Sequence, residues 1–297
     1  MKVAVIGLGA MGAACARNLL ARGFDVCGAD LRTQPLEALA AAGGRRAGSP
    51  REAAAGADVI VTFVVNAAQV EAVVLGRDGV AESMGADAVL VQCATVPASF
   101  AAALGATLAQ RGLAMVDAPV SGGVLRAGDG TLSVMASGPR DAMRRAQPLL
   151  DAIGQHVYDF GETHGAGSTV KTINQLLCGV HLVALGEALA LGRRAGLDPA
   201  RLLEVYTRSA ASSWMMGDRG PRALQEAPPT NSAVDIFVKD LGLVLDTGRA
   251  LNFPLPLSSV AYQQFVTLSA RGQGGIDDSQ LWRAYPLPDA APRQEPD

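Results

Sequence analysis

Val3-Ala-Val-Ile6-Gly7-Leu8-Gly9-Ala10-Met11-Gly12-Ala13-Ala14-Cys15 is the stretch whose reading decides the fold. A short apolar run meets a G-x-G-x-x-G string, and an Ala-rich helical pattern follows at once. Strand, glycines, then helix is the context a dinucleotide-binding turn requires. Each glycine has its own task. Gly7 permits the tight turn, Gly9 lets the backbone approach a pyrophosphate, and Gly12 lets the helix pack on the strand. Leu8, Ala10 and Met11 complete the loop. The open N–H groups and positive dipole end of the helix then face the phosphates.

A second strand pattern, Val26–Ala29, runs into Asp30, roughly twenty residues past the third glycine. An acid there accepts hydrogen bonds from the adenosine ribose hydroxyls and repels a 2′-phosphate, so the cofactor expected is NAD. Arg32, two residues on, is the group that would hold a 2′-phosphate, which leaves NADP as the second choice.

Outward from this motif, strand patterns recur at Val59–Val64, Ala88–Gln92 and Ala114–Val116. Helical patterns lie at Ala13–Arg22, Gln34–Ala42, Val70–Val74 and Ala98–Gln110. Alternation of this kind predicts βαβ units and a parallel sheet covered on both faces. Leu132–Ala136 and His156–Phe160 read as further strands at its far edge, with Ala142–Ala152 a helix between them. From about 164 the strand signal stops. Gly165 to Arg194 is nearly continuous helical sequence, roughly 45 Å long, and apolar enough around its circumference to predict burial between neighbours. Pro199–Ser209, Val234–Leu251 and Ser258–Arg271 add helices. The expected organisation is an α/β Rossmann-like N-terminal domain over 1–163 and an all-α C-terminal domain over 164–285. A long interdomain helix joins them, and a Pro-rich disordered tail covers 286–297.

Composition narrows the function. The chain has 297 residues, 49% hydrophobic and 18% charged, which predicts a packed core. A net charge of −3 argues against nucleic acid or an anionic membrane surface as partner. The apolar run Val3–Ile6 is too short for a signal peptide. Leu176–Leu191 carries His181 and Glu187 and falls short of a membrane span. Cys15, Cys27, Cys93 and Cys178 form no C-x-x-C pair and read as reduced thiols of a cytoplasmic protein. His156, His164 and His181 pair with no carboxylate at ligand spacing, so no metal is expected. Trp214-Met215-Met216 reads as core or subunit contact. A hydrolase is disfavoured because there is no G-x-S-x-G elbow.

Four ordered motifs over residues 1–285 resemble the β-hydroxyacid dehydrogenase family, whose members include 3-hydroxyisobutyrate, tartronate semialdehyde and L-threonate dehydrogenases. They are Gly7-Leu-Gly-Ala-Met-Gly12, Asp117-Ala-Pro-Val-Ser121-Gly122-Gly123, Gly165-Ala-Gly-Ser-Thr-Val-Lys171-Thr-Ile-Asn174, and Phe237-Val-Lys239-Asp240-Leu241. The stretches Gln175–Leu182, Val234–Leu243 and Asp277-Asp278-Ser279 are most similar to the L-threonate-oxidising members. The resemblance implies an active site in a cleft between the two domains. It implies Lys171 as catalytic residue, Asn174 as a substrate-binding amide, and Ser121, Gly122 and Gly123 as the substrate-carboxylate loop. Val65, Asn66, Thr95 and Lys239 would touch the nicotinamide half of the cofactor. Two stretches depart from the family pattern: Phe63-Val-Val-Asn66 lacks a proline often found there, and Gln92-Cys-Ala-Thr95 stands where Asp-x-Ser-Thr is usual.

Chemistry agrees with these assignments. Oxidation of a small hydroxy acid needs a hydride acceptor and a base for the hydroxyl proton. Lys171 and Asn174 share a helix face, and Gln175, four on from Lys171, lies near it. A free lysine titrates at about 10.4; burial and neighbouring positive charge, from Lys239 or the oxidised nicotinamide, would bring it toward about 7–8. Gly-rich backbone N–H groups with the Ser121 hydroxyl suit a carboxylate. An ammonium in an apolar helix is costly unless used or paired. The expected activity is NAD-dependent oxidation of L-threonate to its 2-oxo acid. A 3-hydroxyisobutyrate or tartronate semialdehyde dehydrogenase is the alternative, and a non-catalytic NAD-binding module a more distant one. The apolar long helix also points to a homodimer or homotetramer.

Overall fold

The computed structural model describes residues 1–286; of the expected tail, 287–297 lie outside the described residues. The chain divides into two compact units, Met1–Thr172 and Ile173–Asp297, so the division falls inside the long helix.

In the first unit six strands form one sheet: β1 (Lys2–Ile6), β2 (Asp25–Ala29), β3 (Arg45–Arg46), β4 (Val59–Thr62), β5 (Val89–Gln92) and β6 (Ala114–Asp117). Their order is β3-β2-β1-β4-β5-β6 and every pairing is parallel. This is the doubly wound dinucleotide-binding order, with its switch point between β1 and β4. The strands are apolar at successive positions because both faces are covered. Val3, Val5, Val59, Val61, Val89, Val91 and Val116 pack on one side, while Ala4, Ile6, Ile60, Leu90 and Met115 pack on the other. The helices of this unit are α1 (Ala10–Ala21), α2 (Thr33–Ala41), α3 (Pro50–Ala54), α4 (Ala67–Leu75), α5 (Ala98–Gln110), α6 (Gly123–Asp129) and α7 (Arg140–Ile153). α8 (Ala166–Arg194) starts here as well.

The later strand runs do not extend this sheet. β7 (Val120–Ser121), β8 (Leu132–Ala136) and β9 (Gly154–Asp159) form a separate three-stranded sheet, β7-β8 antiparallel and β8-β9 parallel. The reason lies at the end of β6. Pro119 has no N–H to continue a ladder, and the chain returning after β8 meets β6 antiparallel at the Asp117–Ser137 bridge. These two residues exchange both backbone hydrogen bonds, at 2.9 and 2.8 Å.

The second unit holds the remainder of α8, then α9 (Pro199–Thr207), α10 (Trp214–Ala223), α11 (Val234–Ala250), α12 (Pro256–Leu268) and a 3-10 turn over Asp278–Ala284. Phe237 and Phe265 stack at 4.9 Å in its core. Met215 and Met216 are buried there, whereas Trp214 is exposed. α8 is buried on one side only: Ile173, Leu177, His181, Ala184 and Leu191 form an exposed stripe at helical spacing. The expectation of burial all round therefore holds for part of its circumference, about 50% of its most apolar stretch.

A buried charge cluster fastens α10 to the 3-10 turn. Arg219 donates to both oxygens of Asp278, at 2.9 and 3.2 Å. Arg222 donates to Asp277 at 3.1 Å, and both arginines also pair with Asp218. Asp277 further accepts from the backbone N–H of Asn231 and Ser279. Removing one member of a buried pair strands the other charge. Asp278→Ala is therefore expected to destabilise the protein by about 3–5 kcal/mol, seen as a lower urea midpoint with an unchanged slope.

Candidate active site

The glycine turn separates what the protein needs from what a ligand needs. Gly7 has φ +89°, and a Cβ there would stand 2.8 Å from the Phe63 carbonyl oxygen; at Gly12 it would stand 1.9 Å from the Gly7 oxygen. Both positions must be glycine for the turn to form. A Cβ at Gly9 would meet only the Arg32 guanidinium, at 4.0 Å. Its bareness leaves an open cradle at the N-terminus of α1, which no side chain caps. Leu8, Ala10 and Met11 lie along the same turn, with Ala10 opening the helix.

Asp30 ties this turn to the end of β2. Its carboxylate accepts from the Leu8 N–H at 2.7 Å and from the Arg32 backbone N–H and Nε at 2.9 and 3.1 Å. Arg32 also reaches the Leu8 carbonyl at 3.4 Å. Burial pushes the Asp30 carboxyl up, but the hydrogen bonds from Arg32 and Leu8, with the Arg32 charge, bring it net below its ordinary value. The donors, the open cradle and an ionised acid at the β2 terminus fit a nicotinamide dinucleotide.

Nearby loops leave the same ends of β4 and β5. Asn66 caps α4 by accepting from the Gln69 N–H at 2.9 Å, and the Gln69 side chain accepts from the Val65 N–H at 2.8 Å, which holds Val65 exposed. Gln92, buried, explains one departure from the family pattern. Its amide both accepts from the Ala94 N–H (2.6 Å) and donates to the Ala94 carbonyl (3.0 Å), folding the loop that presents half-buried Thr95.

Ser121 ends β7. Gly122 and Gly123 follow with φ of +137° and +73°, conformations that exclude larger residues. Lys171, 6% exposed, sits in the second turn of α8. That helix begins on Asp117, which accepts from Gly165 N–H (3.0 Å), Ser168 N–H (2.9 Å) and Ser168 Oγ–H (2.7 Å). Burial pushes the Asp117 carboxyl above its ordinary value, against the pull of those bonds and of His164.

The second unit contributes its own chain of contacts. Asn174 donates to the Gln175 side-chain amide oxygen Oε1 at 3.0 Å, and the Gln175 amide donates to the buried Asp240 carboxylate, which also pairs with Lys239. Sequence reasoning gave no role to Asp117 or Asp240. Asp240 was detectable: it falls on the apolar face of α11, three residues after buried Phe237, where an unused acid is costly. Among the described residues no group of His, Cys, Asp and Glu is arranged to hold a metal ion.

The sheet order and the glycine turn define a nicotinamide-dinucleotide-binding protein of the Rossmann type. Residues 2–161 match the NAD-binding domain of 6-phosphogluconate dehydrogenase, and residues 165–285 the NAD-binding region of NADP-dependent 3-hydroxyisobutyrate dehydrogenase. The chain belongs to the β-hydroxyacid dehydrogenase family, the relatives of 3-hydroxyisobutyrate dehydrogenase. It is 51% identical to an L-threonate dehydrogenase of Cupriavidus necator, over 96% of each chain. It is 43% identical to one of Haemophilus influenzae, over 95% of this chain and 94% of that one. A crystal structure of a 3-hydroxyisobutyrate dehydrogenase from Salmonella typhimurium superposes with a TM-score of 0.91 at 44% identity, covering 96% of this chain and all (100%) of that one.

The glycine geometry makes a prediction. Gly9→Ala should leave the melting temperature unchanged yet weaken dinucleotide binding by about tenfold or more, or ~1.4 kcal/mol. Gly12→Ala should lower both, by about 1–3 kcal/mol in stability. Calorimetric titration beside thermal melts separates the two.

Proposed function

We propose that this protein oxidises L-threonate at C2 to the corresponding 2-oxo acid, with NAD as the oxidant, in the cytoplasm. Lys171 carries the reading: it is a buried lysine at the position that the family resemblance makes catalytic, on the helix face it shares with Asn174. A bound nicotinamide dinucleotide supplies the hydride acceptor. The Ser121-Gly122-Gly123 loop binds the substrate carboxylate. Asn174 and Gln175 hold its hydroxyl groups, and Lys171, in its neutral form, takes the C2 hydroxyl proton as hydride leaves C2. In the reverse direction Lys171 returns that proton. Val65, Asn66, Thr95 and Lys239 would serve the nicotinamide half, as the family resemblance implies.

NAD is preferred because Asp30 presents an ionised carboxylate where a 2′-phosphate would lie, and its partner Arg32 is already engaged by it. The solved relatives favour one second reading, oxidation of 3-hydroxyisobutyrate, the activity named for the 44% identical Salmonella protein. The exposed stripe of α8 supports a homo-oligomer in which a second copy covers Ile173, Leu177 and Leu191. Light scattering that returns a monomer would remove that part of the proposal.

Purified enzyme is expected to reduce NAD with L-threonate at a kcat/KM at least about tenfold above that with 3-hydroxyisobutyrate, and above that with NADP as oxidant. Lys171→Ala should lower kcat by about 10²–10⁴ while the Kd for NAD stays within about twofold. Turnover near wild type in that variant would refute the role of Lys171.

A further inference from the structure

We propose that Asp117 is a positioning residue for Lys171, acting through the first turn of α8; this rests on the reading of Lys171 as the proton carrier. A helix that starts inside a protein must find partners for its first N–H groups. In α8 the partners come from two residues that are themselves bonded to one another, Asp117 and Ser137. Asp117 takes the Gly165 and Ser168 N–H groups on one oxygen and the Ser168 hydroxyl on the other. Ser137 Oγ takes the Gly167 N–H at 3.0 Å. Asp117, Ser137 and Ser168 are all essentially inaccessible, at 0%, 0% and 1%.

The seat has no slack. A Cβ on Gly165 would stand 2.6 Å from the Ala98 oxygen, and one on Gly167 2.2 Å from the Met135 oxygen. Lys171 lies three residues past Ser168, about 4.5 Å along the helix axis, and Thr172 continues the grip by donating to the Ser168 carbonyl at 2.9 Å. The end of β6 therefore sets the height and rotation of the turn that carries Lys171. A misplacement near 1 Å costs on the order of 10²-fold in rate. Burial penalises the Asp117 carboxylate, a cost an apolar residue at the strand end would avoid. A carboxylate offers what an apolar residue lacks, acceptors for three donors from two adjacent directions.

A double-mutant cycle on the full chain, assayed with L-threonate and NAD, tests this. Asp117→Ala should lower kcat by about 30–100-fold, with the Kd for NAD within about twofold. In a Lys171→Ala background the same substitution should change the residual rate by less than about twofold, because its effect runs through Lys171. Asp117→Asn keeps an oxygen for the Gly165 and Ser168 N–H groups and should recover kcat to within about fivefold of wild type. Equal fold losses in both backgrounds would overturn the proposal, since a general structural role multiplies regardless of Lys171. If Asp117→Ala does not fold, Ser168→Ala replaces it: a several-fold loss is expected in the wild-type background and none beside Lys171→Ala, and equal losses overturn the idea. Lys171→Ala with wild-type turnover would overturn the proton-carrier reading and this proposal together; an impaired Lys171→Ala with multiplicative losses would overturn this proposal alone.

Discussion

The start of α8 is a helix terminus closed off from water, and that one constraint organises much of the first unit. Its N–H groups have no solvent to turn to, so Asp117 and Ser137 supply the acceptors. For Asp117 to do so, β6 must end there, with Pro119 just beyond. For Ser137 to do so, β8 must return antiparallel beside that end. The small second sheet, the stop of the parallel sheet and the placement of Lys171 are thus one arrangement. The Ser121-Gly122-Gly123 loop lies between its two supporting residues in the chain, so the same returning segment shapes it.

The dinucleotide turn follows a different economy. Gly7 and Gly12 are dictated by close backbone approach within the protein, whereas Gly9 faces open space. Asp30 serves both ends at once: it holds the Leu8 N–H of the turn and retains Arg32. Stability and binding are separable at one glycine and joined at the acid. Gln92 adds a local device of the same kind, closing its loop by bonding both polar groups of Ala94.

Much of this was legible in the sequence wherever the signal is local. The strand-glycine-helix string, Asp30 and the alternation of Val-rich runs with Ala-rich helices carry the Rossmann unit, because fully buried parallel strands are apolar at successive positions. β3 was not legible: Arg45-Arg46 has no apolar pattern and is a strand only through its pairing with β2. α10 was obscured by Pro221 in its interior. The second sheet is not legible as separate, because a strand's sequence says that it pairs, not with which edge. The part of α8 facing outward was hidden by composition, since Ile173, Leu177 and Leu191 look the same in a core and on an uncovered stripe. Asp117 stands in the Asp117-Ala-Pro-Val-Ser121 motif, yet its partners lie some fifty residues away at Gly165 and Ser168, which no local pattern reveals.

Direct hydride transfer from C2 of a hydroxy acid can be followed by isotope tracing. L-Threonate carrying deuterium at C2 would be incubated with the protein and NAD, and the reduced cofactor isolated for mass spectrometry and NMR. Direct transfer places one deuterium at nicotinamide C4, on a single face, and gives slower turnover than with the unlabelled acid. Reduced cofactor without label, or no reduced cofactor despite bound NAD, would contradict it.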